Sequence, residues 1–152
     1  MIIRRANIND KNTILEMLYE SDIENKEMSE TLNSSYTDEE LIENNKKIID
    51  KHIDEFYILE VNNSSIGTIM EWNNKGEVTL CNFHIKKEYR NKGYGKKLIE
   101  YMLNNSKDGY VVLSAFQFNN NAINFYKHIG FEEIHISETK FGKMIWFIKK
   151  KK

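Results

Sequence analysis

Residues 85–97 read Ile85-Lys86-Lys87-Glu88-Tyr89-Arg90-Asn91-Lys92-Gly93-Tyr94-Gly95-Lys96-Lys97. An apolar run at residues 78–85 predicts a strand before this segment, and apolar residues at helical spacing follow it at residues 98–103. The segment is therefore a basic turn between a strand and a helix. Unpaired N–H groups at the helix start, two glycines without Cβ and six basic side chains together favour an anion, phosphate in particular.

The glycine spacing of this segment excludes two other phosphate-binding loops. Arg90-x-x-Gly93-x-Gly95 is shorter than the dinucleotide-binding fingerprint, which also needs an acidic residue further along the chain. The P-loop requires Gly-Lys-Ser or Gly-Lys-Thr, which the chain lacks. A solvated basic loop without a ligand is the alternative that this segment alone leaves open.

The composition is typical of one folded domain. The chain has 152 residues, of which 40% are hydrophobic and 30% are charged, so it can bury a full core and is not of the disordered class. No apolar run reaches membrane-spanning length, and the N-terminus has no signal-peptide pattern. The single cysteine, Cys81, excludes an internal disulfide. We therefore expect a cytoplasmic protein whose single domain, residues 1–152, ends in a basic tail, residues 148–152.

The charge is distributed unevenly along the chain. Residues 1–60 hold 7 basic and 15 acidic residues, a net charge of −8, and residues 61–152 hold 15 and 8, a net charge of +7. This asymmetry suits an enzyme with one anionic and one cationic substrate. Chance is the alternative, because the lysines at residues 149–152 supply part of the positive charge. The overall net charge of −1, without a basic strip rich in aromatics, disfavours nucleic-acid binding.

Hydrophobic periodicity predicts the element order β-α-α-β-β-β-α-β-α-β-β. Residues 21–36 are predicted to be a loop with a helical turn, and Thr37-Asp38-Glu39-Glu40 to be the capping box of the second helix. Turns at residues 62–65 and 73–76 separate three antiparallel strands. A buried strand at residues 110–115 is expected to lie parallel to the strand at residues 78–85. The predicted fold class is α/β, with one mixed sheet of about seven strands and about four helices.

Two motifs together resemble the GCN5-related N-acetyltransferase (GNAT) family. The first is Arg90-x-x-Gly93-x-Gly95, and the second is Asn119-x-x-Ala122-x-x-Phe125-Tyr126-x-x-x-Gly130-Phe131. The predicted element order is also that of the family, so the resemblance covers nearly the whole chain. It implies that the two central strands splay apart, that acetyl-CoA is the acyl donor, and that the protein is an N-acetyltransferase acting on a primary amine of a small molecule or a peptide.

The resemblance also assigns cofactor contacts. The main chain of Phe83 and Ile85, with His84 between them, is expected to hold the acetyl group and the pantetheine arm as an added strand. The N–H near Phe83 is the candidate for polarising the thioester oxygen. Asn119 is a candidate contact to the arm or, alternatively, a helix N-cap. The resemblance implies no metal. The expected pyrophosphate contacts are the main-chain groups of Arg90, Asn91, Lys92, Gly93, Tyr94, Gly95 and Lys96.

The implied reaction is direct acyl transfer in a ternary complex. Tyr126 matches the family's tyrosine that protonates the leaving thiolate, and the alternative is an ordinary core aromatic. The family's usual glutamate base is replaced by Thr79 in this chain. Glu77 and Glu71 are the first and second candidate bases, and His84 is the third.

The acceptor region is predicted from charge. An acidic run, made of Asp22, Glu24, Glu27 and Glu30, indicates a cationic acceptor such as a polyamine, an aminoglycoside or a lysine-bearing peptide. A solvated acidic surface is the alternative. Thr79 leaves open a different class, a CoA-binding module or sensor without turnover. Family members are commonly dimers, so a homodimer is compatible with the resemblance, although nothing in the sequence fixes the oligomeric state. No nucleic-acid or membrane partner is expected.

Overall fold

The computed structural model describes residues 1–74 and 77–152. It contains seven strands and five α-helices within these ranges. In chain order they are β1 (Ile2–Arg5), α1 (Lys11–Met28), α2 (Glu30–Ser35), α3 (Asp38–His52), β2 (Phe56–Val61), β3 (Ser64–Asn74), β4 (Glu77–Ile85), α4 (Tyr94–Asn104), β5 (Tyr110–Phe116), α5 (Asn120–His128), β6 (Glu132–Thr139) and β7 (Gly142–Lys150).

The strands form one mixed sheet in the order β1-β2-β3-β4-β5-β7-β6. Strands β1 to β4 pair in antiparallel fashion, β4 and β5 pair in parallel, and β5, β7 and β6 pair in antiparallel fashion again. The predicted α/β class with a mixed seven-stranded sheet is therefore confirmed. None of the described helices combines the length and the hydrophobicity needed to cross a membrane.

Two apolar clusters cover the two faces of the sheet. One joins the inward faces of α4 and α5 to β4, β5 and β7, with Leu98, Ile99 and Phe147 fully buried. The other joins α1 and α3 to β2 and β3, with Ile14 and Phe56 fully buried. Burying each such side chain stabilises the fold by about 1.5–3 kcal/mol. The sheet thus separates α1 and α3 on one face from α4 and α5 on the other. A side chain of β4 faces either α1, or α4 and α5, according to its position along the strand.

Several local signals act as predicted. Asn62 and Asn63 both have positive φ, +51° and +64°, as the two-residue turn between β2 and β3 requires. The capping box of α3 forms, with Glu40 N donating to Thr37 Oγ1 at 3.1 Å and Thr37 N donating to Glu40 Oε1 at 3.0 Å. Of the second predicted turn, residues 73–76, positions 75 and 76 lie outside the described residues.

The predicted loop at residues 21–36 was wrong, because α1 continues to Met28 and α2 follows directly. Two long-range contacts hold the extra turns in place. Asn45 Nδ2 donates to Asp22 Oδ2 at 2.6 Å, and the Arg90 guanidinium donates to both carboxylate oxygens of Glu24 at 2.6 and 2.7 Å. Local sequence does not reveal such contacts. Helix α2, which lies within the predicted loop, explains why the structure has five helices and not about four.

The predicted basic tail is shorter than expected. Strand β7 runs to Lys150, so residues 148–150 belong to the sheet. Lys151 N then donates to Gly109 O at 2.7 Å, and Lys151 Nζ donates to Ser106 O at 3.2 Å. The terminal lysines are therefore largely bound to the body of the protein and do not form a free basic tail.

Candidate active site

Strands β4 and β5 separate soon after they meet. They share a single paired position, Thr79 with Val112, whereas β5 pairs with β7 along its whole length. Beyond Thr79 the β5-facing edge of β4 has no strand partner among the described residues. The splay that the family resemblance implied is therefore present, and it opens toward Phe83 and Ile85.

A bulge in β4 decides which side chains enter this opening. Thr68 pairs with His84 and Met70 pairs with Cys81, so Ile69 lies opposite two residues, Asn82 and Phe83. Asn82 adopts a left-handed φ of +51°. The extra residue reverses the alternation of side chains after Cys81. As a result Phe83 packs against the cluster under α4 and α5, whereas His84 reaches α1 on the other face.

The ladder also orients the main chain of β4. Lys86 N donates to Ile66 O at 2.8 Å, and alternate residues of an antiparallel strand face their partner strand. The main-chain groups of His84 and Lys86 therefore point to β3, and those of Ile85 point away from it, toward the opening, whereas Phe83 lies in the bulge and has no paired residue on β3. Ile85 O accepts a hydrogen bond from Arg90 Nε at 2.8 Å. The N–H groups of Phe83 and Ile85 are left to bind a ligand.

The turn between β4 and α4 presents a row of main-chain donors. Asn91 and Gly93 have positive φ, +62° and +85°, and α4 begins at Tyr94. The first helical bond to this turn is donated by Lys97 N to Gly93 O at 3.2 Å. Among the described residues, the N–H groups of residues 91–96 therefore have no main-chain acceptor. This arrangement is a cradle for an anion at a helix start.

The two glycines of the turn serve different purposes. A Cβ at Gly93 would meet no atom within 4 Å, so its positive φ explains the glycine. A Cβ at Gly95 would lie 3.1 Å from Phe125 Cζ and 3.2 Å from Phe83 Cζ. Gly95 is thus required because two aromatic rings pack against it, a reason that differs from the close ligand approach predicted from sequence. The rings of Phe83 and Phe125 are stacked with centroids 6.1 Å apart.

Arg90 does not belong to the free donors of the turn. Its N–H donates to Lys87 O at 3.2 Å, and its guanidinium is bound to Glu24 and to Ile85 O. The contact between the Arg90 main chain and a pyrophosphate stays a prediction, although the Arg90 N–H already has an acceptor in Lys87 O. Arg90 also fixes the turn to α1, and the N–H groups without a main-chain acceptor are those of residues 91–96.

Tyr126 lies on α5 and is buried, with its ring next to Phe83. Its ring packs against Phe83, with centroids 6.4 Å apart, and against Phe131 and Phe147. Every fully enclosed polar side-chain atom of the described residues has a hydrogen-bond partner, yet none of those residues bonds the Tyr126 hydroxyl, so this oxygen is not fully enclosed. Burial of the ring raises the pKa of Tyr126, and the phenol therefore keeps its proton at neutral pH.

Asn119 acts as the N-cap of α5. Its Oδ1 accepts a hydrogen bond from Ala122 N at 3.2 Å, which is the alternative that sequence left open. The Asn119 side-chain amide nitrogen has no partner among the described residues. The cap therefore leaves a donor at the start of α5.

The two carboxylates predicted as bases lie away from Phe83. Glu77 is exposed at the first position of β4, six residues from Phe83, which corresponds to about 20 Å of extended strand. Glu71 pairs with Leu80 and interacts with Tyr57 on the α4 side of the sheet. A base must come within hydrogen-bond reach of the amine or of a bridging water. The structure brings neither Glu77 nor Glu71 to the opening beside Phe83.

The third candidate, His84, lies in a cluster that sequence reasoning missed. His84 is only 5% exposed, and its Nε2 lies 3.0 Å from Glu20 Oε1 of α1. The same Glu20 oxygen accepts the N–H of Lys87 at 3.0 Å. Glu24 lies one helical turn further along α1 and binds Arg90. Only a correct helical assignment of residues 21–28 would have placed Glu20 and Glu24 on one face.

Three side chains of this cluster, Glu20, Glu24 and His84, are close enough to ligate a metal ion. Arg90 argues against such a site, because its guanidinium already neutralises Glu24 through two hydrogen bonds and lies 3.6 Å from Glu20. Its hydrogen bonds hold the pKa of Glu24 below its usual value. A cation at this position would have to displace the guanidinium.

The acidic run divides into paired and unpaired residues. Asp22 and Glu24 are bonded to Asn45 and Arg90 as described above. Glu27 and Glu30 have no cationic partner among the described residues, and they border an open depression of about 440 Å³ between α1, α2 and α3. An ion pair between Lys26 Nζ and Asp38 Oδ1, 3.0 Å long, closes one side of the depression. Its lining residues are Ile23, Lys26, Glu27, Glu30, Asn33 and Asp38.

The chain matches a known protein family and a curated relative. Residues 52–133, a little over half of the chain, match the family of acetyltransferase (GNAT) domains. A curated relative, the probable spermine N(1)-acetyltransferase of Bacillus subtilis subsp. natto, is 36% identical over 66 residues. That alignment covers 41% of this chain and 43% of the relative, so it spans less than half of the relative's length.

Two solved structures share the fold over nearly the whole chain. An N-acetyltransferase from Staphylococcus aureus Mu50 has a TM-score of 0.80 at 16% identity, with 98% of this chain and 100% of that chain covered. A PaiA N-acetyltransferase from Thermoplasma acidophilum, solved with coenzyme A, has a TM-score of 0.73 at 23% identity, with 98% of both chains covered. Because the family match includes the opened strand β4, the donor turn and Tyr126, the chain belongs to the GNAT family of acetyltransferases.

Proposed function

We propose that this protein transfers an acetyl group from acetyl-CoA directly to a primary amine while both substrates are bound. The observation that carries the proposal is the opened edge of β4, where the free N–H groups of Phe83 and Ile85 lead to the donor turn at residues 91–96. An extended ligand can pair with the edge of β4 and place an anionic group on the donor turn.

The proposed binding mode divides acetyl-CoA between these two features. The pantetheine arm lies along Phe83 and Ile85, and the amide nitrogen of Asn119 offers it a further donor. The pyrophosphate lies on the main chain of residues 91–96, with the exposed Lys92, Lys96 and Lys97 around it. Arg90 positions the turn. The neighbour from Thermoplasma acidophilum was solved with coenzyme A, which supports this ligand class.

The proposed chemistry follows from the residues beside Phe83. A neutral amine nitrogen forms a bond to the thioester carbon, the Phe83 N–H stabilises the negative charge on the oxygen, and the C–S bond then breaks. The sulfur takes the bonding electrons and a proton from the Tyr126 hydroxyl, and the nitrogen, which still carries both amine protons, gives one of them back to the Tyr126 oxygen through water. Cys81 is not suited to a covalent route, because burial raises the pKa of its thiol to about 11 and its side chain packs on the α1 side.

We propose a cationic acceptor of the polyamine class. The unpaired carboxylates of Glu27 and Glu30 border an open depression beside α1, the same helix whose Glu20 contacts His84. Two negative charges without counterions favour a ligand with several ammonium groups. The partial match to a probable spermine acetyltransferase supports the same class. Asp22 and Glu24 are excluded from this role because they are already bonded.

The acceptor class is tested by neutralising the two free carboxylates together. We expect E27Q/E30Q to raise the KM for spermine about three- to tenfold, since each exposed charge interaction contributes about 0.2–1 kcal/mol, while the KM for acetyl-CoA stays the same. E43Q on the exposed face of α3 removes one charge elsewhere and is the control. An unchanged KM for spermine in the double variant contradicts a polyamine site at this depression.

The second candidate function is a CoA-binding module without turnover, which the replacement of the usual glutamate by Thr79 favours. Calorimetry with coenzyme A and release of free CoA thiol in the presence of amines separate the two functions. The enzyme binds coenzyme A and releases thiol with at least one amine. Binding without release supports the module, and absence of binding contradicts both functions.

A homodimer also belongs to this proposal. Strand β6 forms one edge of the sheet, and Ile134 and Ile136 on it are 45% and 52% exposed. An open strand edge with exposed apolar side chains favours pairing with another chain. Sedimentation velocity of the wild type and of I134K/I136K tests this arrangement, and a monomeric wild type at micromolar concentration contradicts it.

A further inference from the structure

The pair formed by His84 and Glu20 has the arrangement of an oriented imidazole. A carboxylate can only accept a hydrogen bond, so the 3.0 Å contact between Glu20 Oε1 and His84 Nε2 requires a proton on Nε2. In the neutral ring, the lone pair then belongs to Nδ1. A histidine whose tautomer is fixed by a carboxylate in this way is a common form of general base.

The other ring nitrogen is open. His84 is 5% exposed as a residue, but Nδ1 has no hydrogen-bond partner in residues 1–74 and 77–152. Every fully enclosed polar side-chain atom in those ranges does have a partner. Nδ1 is therefore not fully enclosed, although the ring is packed.

The position of His84 in β4 adds a second argument. His84 lies between Phe83 of the bulge and Ile85, whose main chain faces the opening, while the His84 side chain faces α1. The bulge at Asn82 produces this separation, because it sends Phe83 to the α4 and α5 side and His84 to the α1 side. The donor turn at residues 91–96 likewise belongs to the α4 side, and the free carboxylates belong to the α1 side. A thioester held on one side and an ammonium arriving from the other would meet next to His84.

Burial keeps the imidazole neutral at rest. It lowers the pKa of His84 below its ordinary value, and the hydrogen bond that His84 Nε2 donates to Glu20 offsets part of this effect. Arg90 also lowers the pKa of His84, and Glu24 raises it. Lys87 follows β4 and donates its N–H to Glu20. At neutral pH the ring is therefore free to take a proton, and Glu20 is in place to stabilise the cation that results.

We infer that His84 is the general base of the proposed transfer and that Glu20 is its positioning residue. The inference rests on the proposed function and names the general base, which is missing where Thr79 replaces the family's usual glutamate. The ammonium of the acceptor loses one proton, its N–H bond pair becomes the amine lone pair, and a new N–H bond forms at Nδ1. The amine then attacks the thioester carbon. The imidazolium, hydrogen-bonded to Glu20, returns the proton to water after the product leaves.

The decisive experiment compares H84Q with the wild type over a pH series. Thiol release is measured at saturating acetyl-CoA with a panel of primary amines that includes spermine and a lysine-containing peptide, and the best wild-type acceptor is then used. We expect H84Q to lower kcat about 100-fold at neutral pH, within the usual range for a general base. The deficit should shrink as pH rises, because at higher pH the amine loses its proton without help.

The matched control is H52Q. His52 forms a second histidine–glutamate contact, with Nδ1 3.2 Å from Glu55 Oε2, at the end of α3. H52Q should keep kcat and its pH profile. An H84Q enzyme with wild-type kcat overturns this inference and leaves the proposed function standing. A deficit in H84Q that is the same at every pH marks a structural role and also overturns it. Absence of wild-type turnover with every amine overturns the proposed function itself.

Two further measurements keep the inference testable if H84Q does not fold. Long-range ¹H–¹⁵N spectra of the wild type should show the His84 ring protonated at Nε2 and bare at Nδ1 at neutral pH. E20Q keeps one oxygen, which can accept from both His84 Nε2 and Lys87 N as Glu20 Oε1 does, and it replaces the other oxygen by an amide nitrogen, so that the charge is lost. We expect it to lower kcat and to move the acidic limb of the kcat profile to lower pH, since loss of the carboxylate lowers the pKa of His84. The opposite tautomer, or an unmoved limb, overturns the inference.

Discussion

The two sides of the opening beside Phe83 present different kinds of chemical groups. On the α4 side, the binding groups are main-chain N–H donors of residues 91–96, and they come from one continuous segment. On the α1 side, the groups are side chains that accept protons or bind cations, and they come from distant parts of the chain. Glu20 and His84 are 64 positions apart, and Glu24 and Arg90 are 66 positions apart.

Under the proposed function, this difference assigns the two substrates to the two sides. A cradle of main-chain donors depends on backbone conformation, so it tolerates many side chains and suits a donor molecule that a whole family shares. A cluster of side chains can change with each substitution, so it suits the acceptor and the proton that the acceptor must lose. Arg90 connects the two sides, because it binds Glu24 on α1 and Ile85 O at the start of the turn.

The largest effect in this comparison is expected for Tyr126, the proposed proton donor on the α5 side. Y126F should lower kcat about 100-fold and leave the affinity for acetyl-CoA unchanged, because the ring keeps its contacts with Phe83 and Phe131. Unlike the deficit of H84Q, this deficit should not shrink at high pH. Y101F, on α4 against Tyr57, is the control, and thiol release against pH is the measurement. A Y126F enzyme with wild-type kcat removes Tyr126 from the mechanism.

A smaller effect is expected when the connection between the two sides is cut. R90Q should lower the free energy of unfolding by about 1–2 kcal/mol, since a bidentate ion pair is strong but exposure weakens it; here both side chains are about one-third exposed, 33% and 34%. Urea unfolding at neutral pH measures the change. K46Q breaks the exposed contact between Lys46 and Glu43 and should change the stability by less than about 0.5 kcal/mol.

The pH dependence of this effect has a definite sign. Arg90 lowers the pKa of Glu24 in the folded protein, so the pair stabilises the fold at pH values above the unfolded-state pKa of about 4.3. The stabilisation is lost as the pH falls through the folded-state pKa. The stability difference between wild type and R90Q should therefore be largest at neutral pH and disappear in strong acid. A difference that grows below about pH 4 contradicts this assignment.

The smallest effect separates backbone strain from ligand binding on the α4 side. Gly93 and Gly109 have similar positive φ values, +85° and +76°, and neither would bring a new Cβ within 4 Å of another atom. G93A and G109A should each cost about 1–2 kcal/mol of stability from left-handed strain. Only G93A should weaken coenzyme A binding in calorimetry, because only Gly93 belongs to the donor turn. Equal affinities in both variants argue against a cradle at residues 91–96.

The α4 side was largely predictable from sequence, because its signals are local. The turn at residues 85–97, the helix after it and the motif around Tyr126 are each contained in a short segment. Gly130 ends α5 with φ +105°, and Phe131 N donates to Tyr126 O at 2.9 Å, as a glycine C-cap predicts. The exception is Gly95, whose contact with Phe83 and Phe125 depends on packing between distant segments.

The α1 side was mostly not predictable, because contacts across the chain decide it. Residues 21–28 carry too few apolar residues to mark a helix, and Asn45 and Arg90 fix them from elsewhere. Sequence favours Glu77 as the base because it lies two residues before Thr79 on the same face of the strand, and Glu71 because it lies on the preceding strand. The bulge at Asn82 could not be read from residue types, and it is this bulge that turns His84 toward Glu20.

The most direct test of the account follows main-chain amides during titration with coenzyme A. In ¹H–¹⁵N spectra of the labelled protein, we predict that the largest shifts occur at residues 91–96 and at Phe83 and Ile85, with Arg90 N–H changing less because it already donates to Lys87 O. No shifts, or shifts confined to the depression beside Glu27 and Glu30, would contradict the binding of coenzyme A by the donor turn and the opened edge of β4.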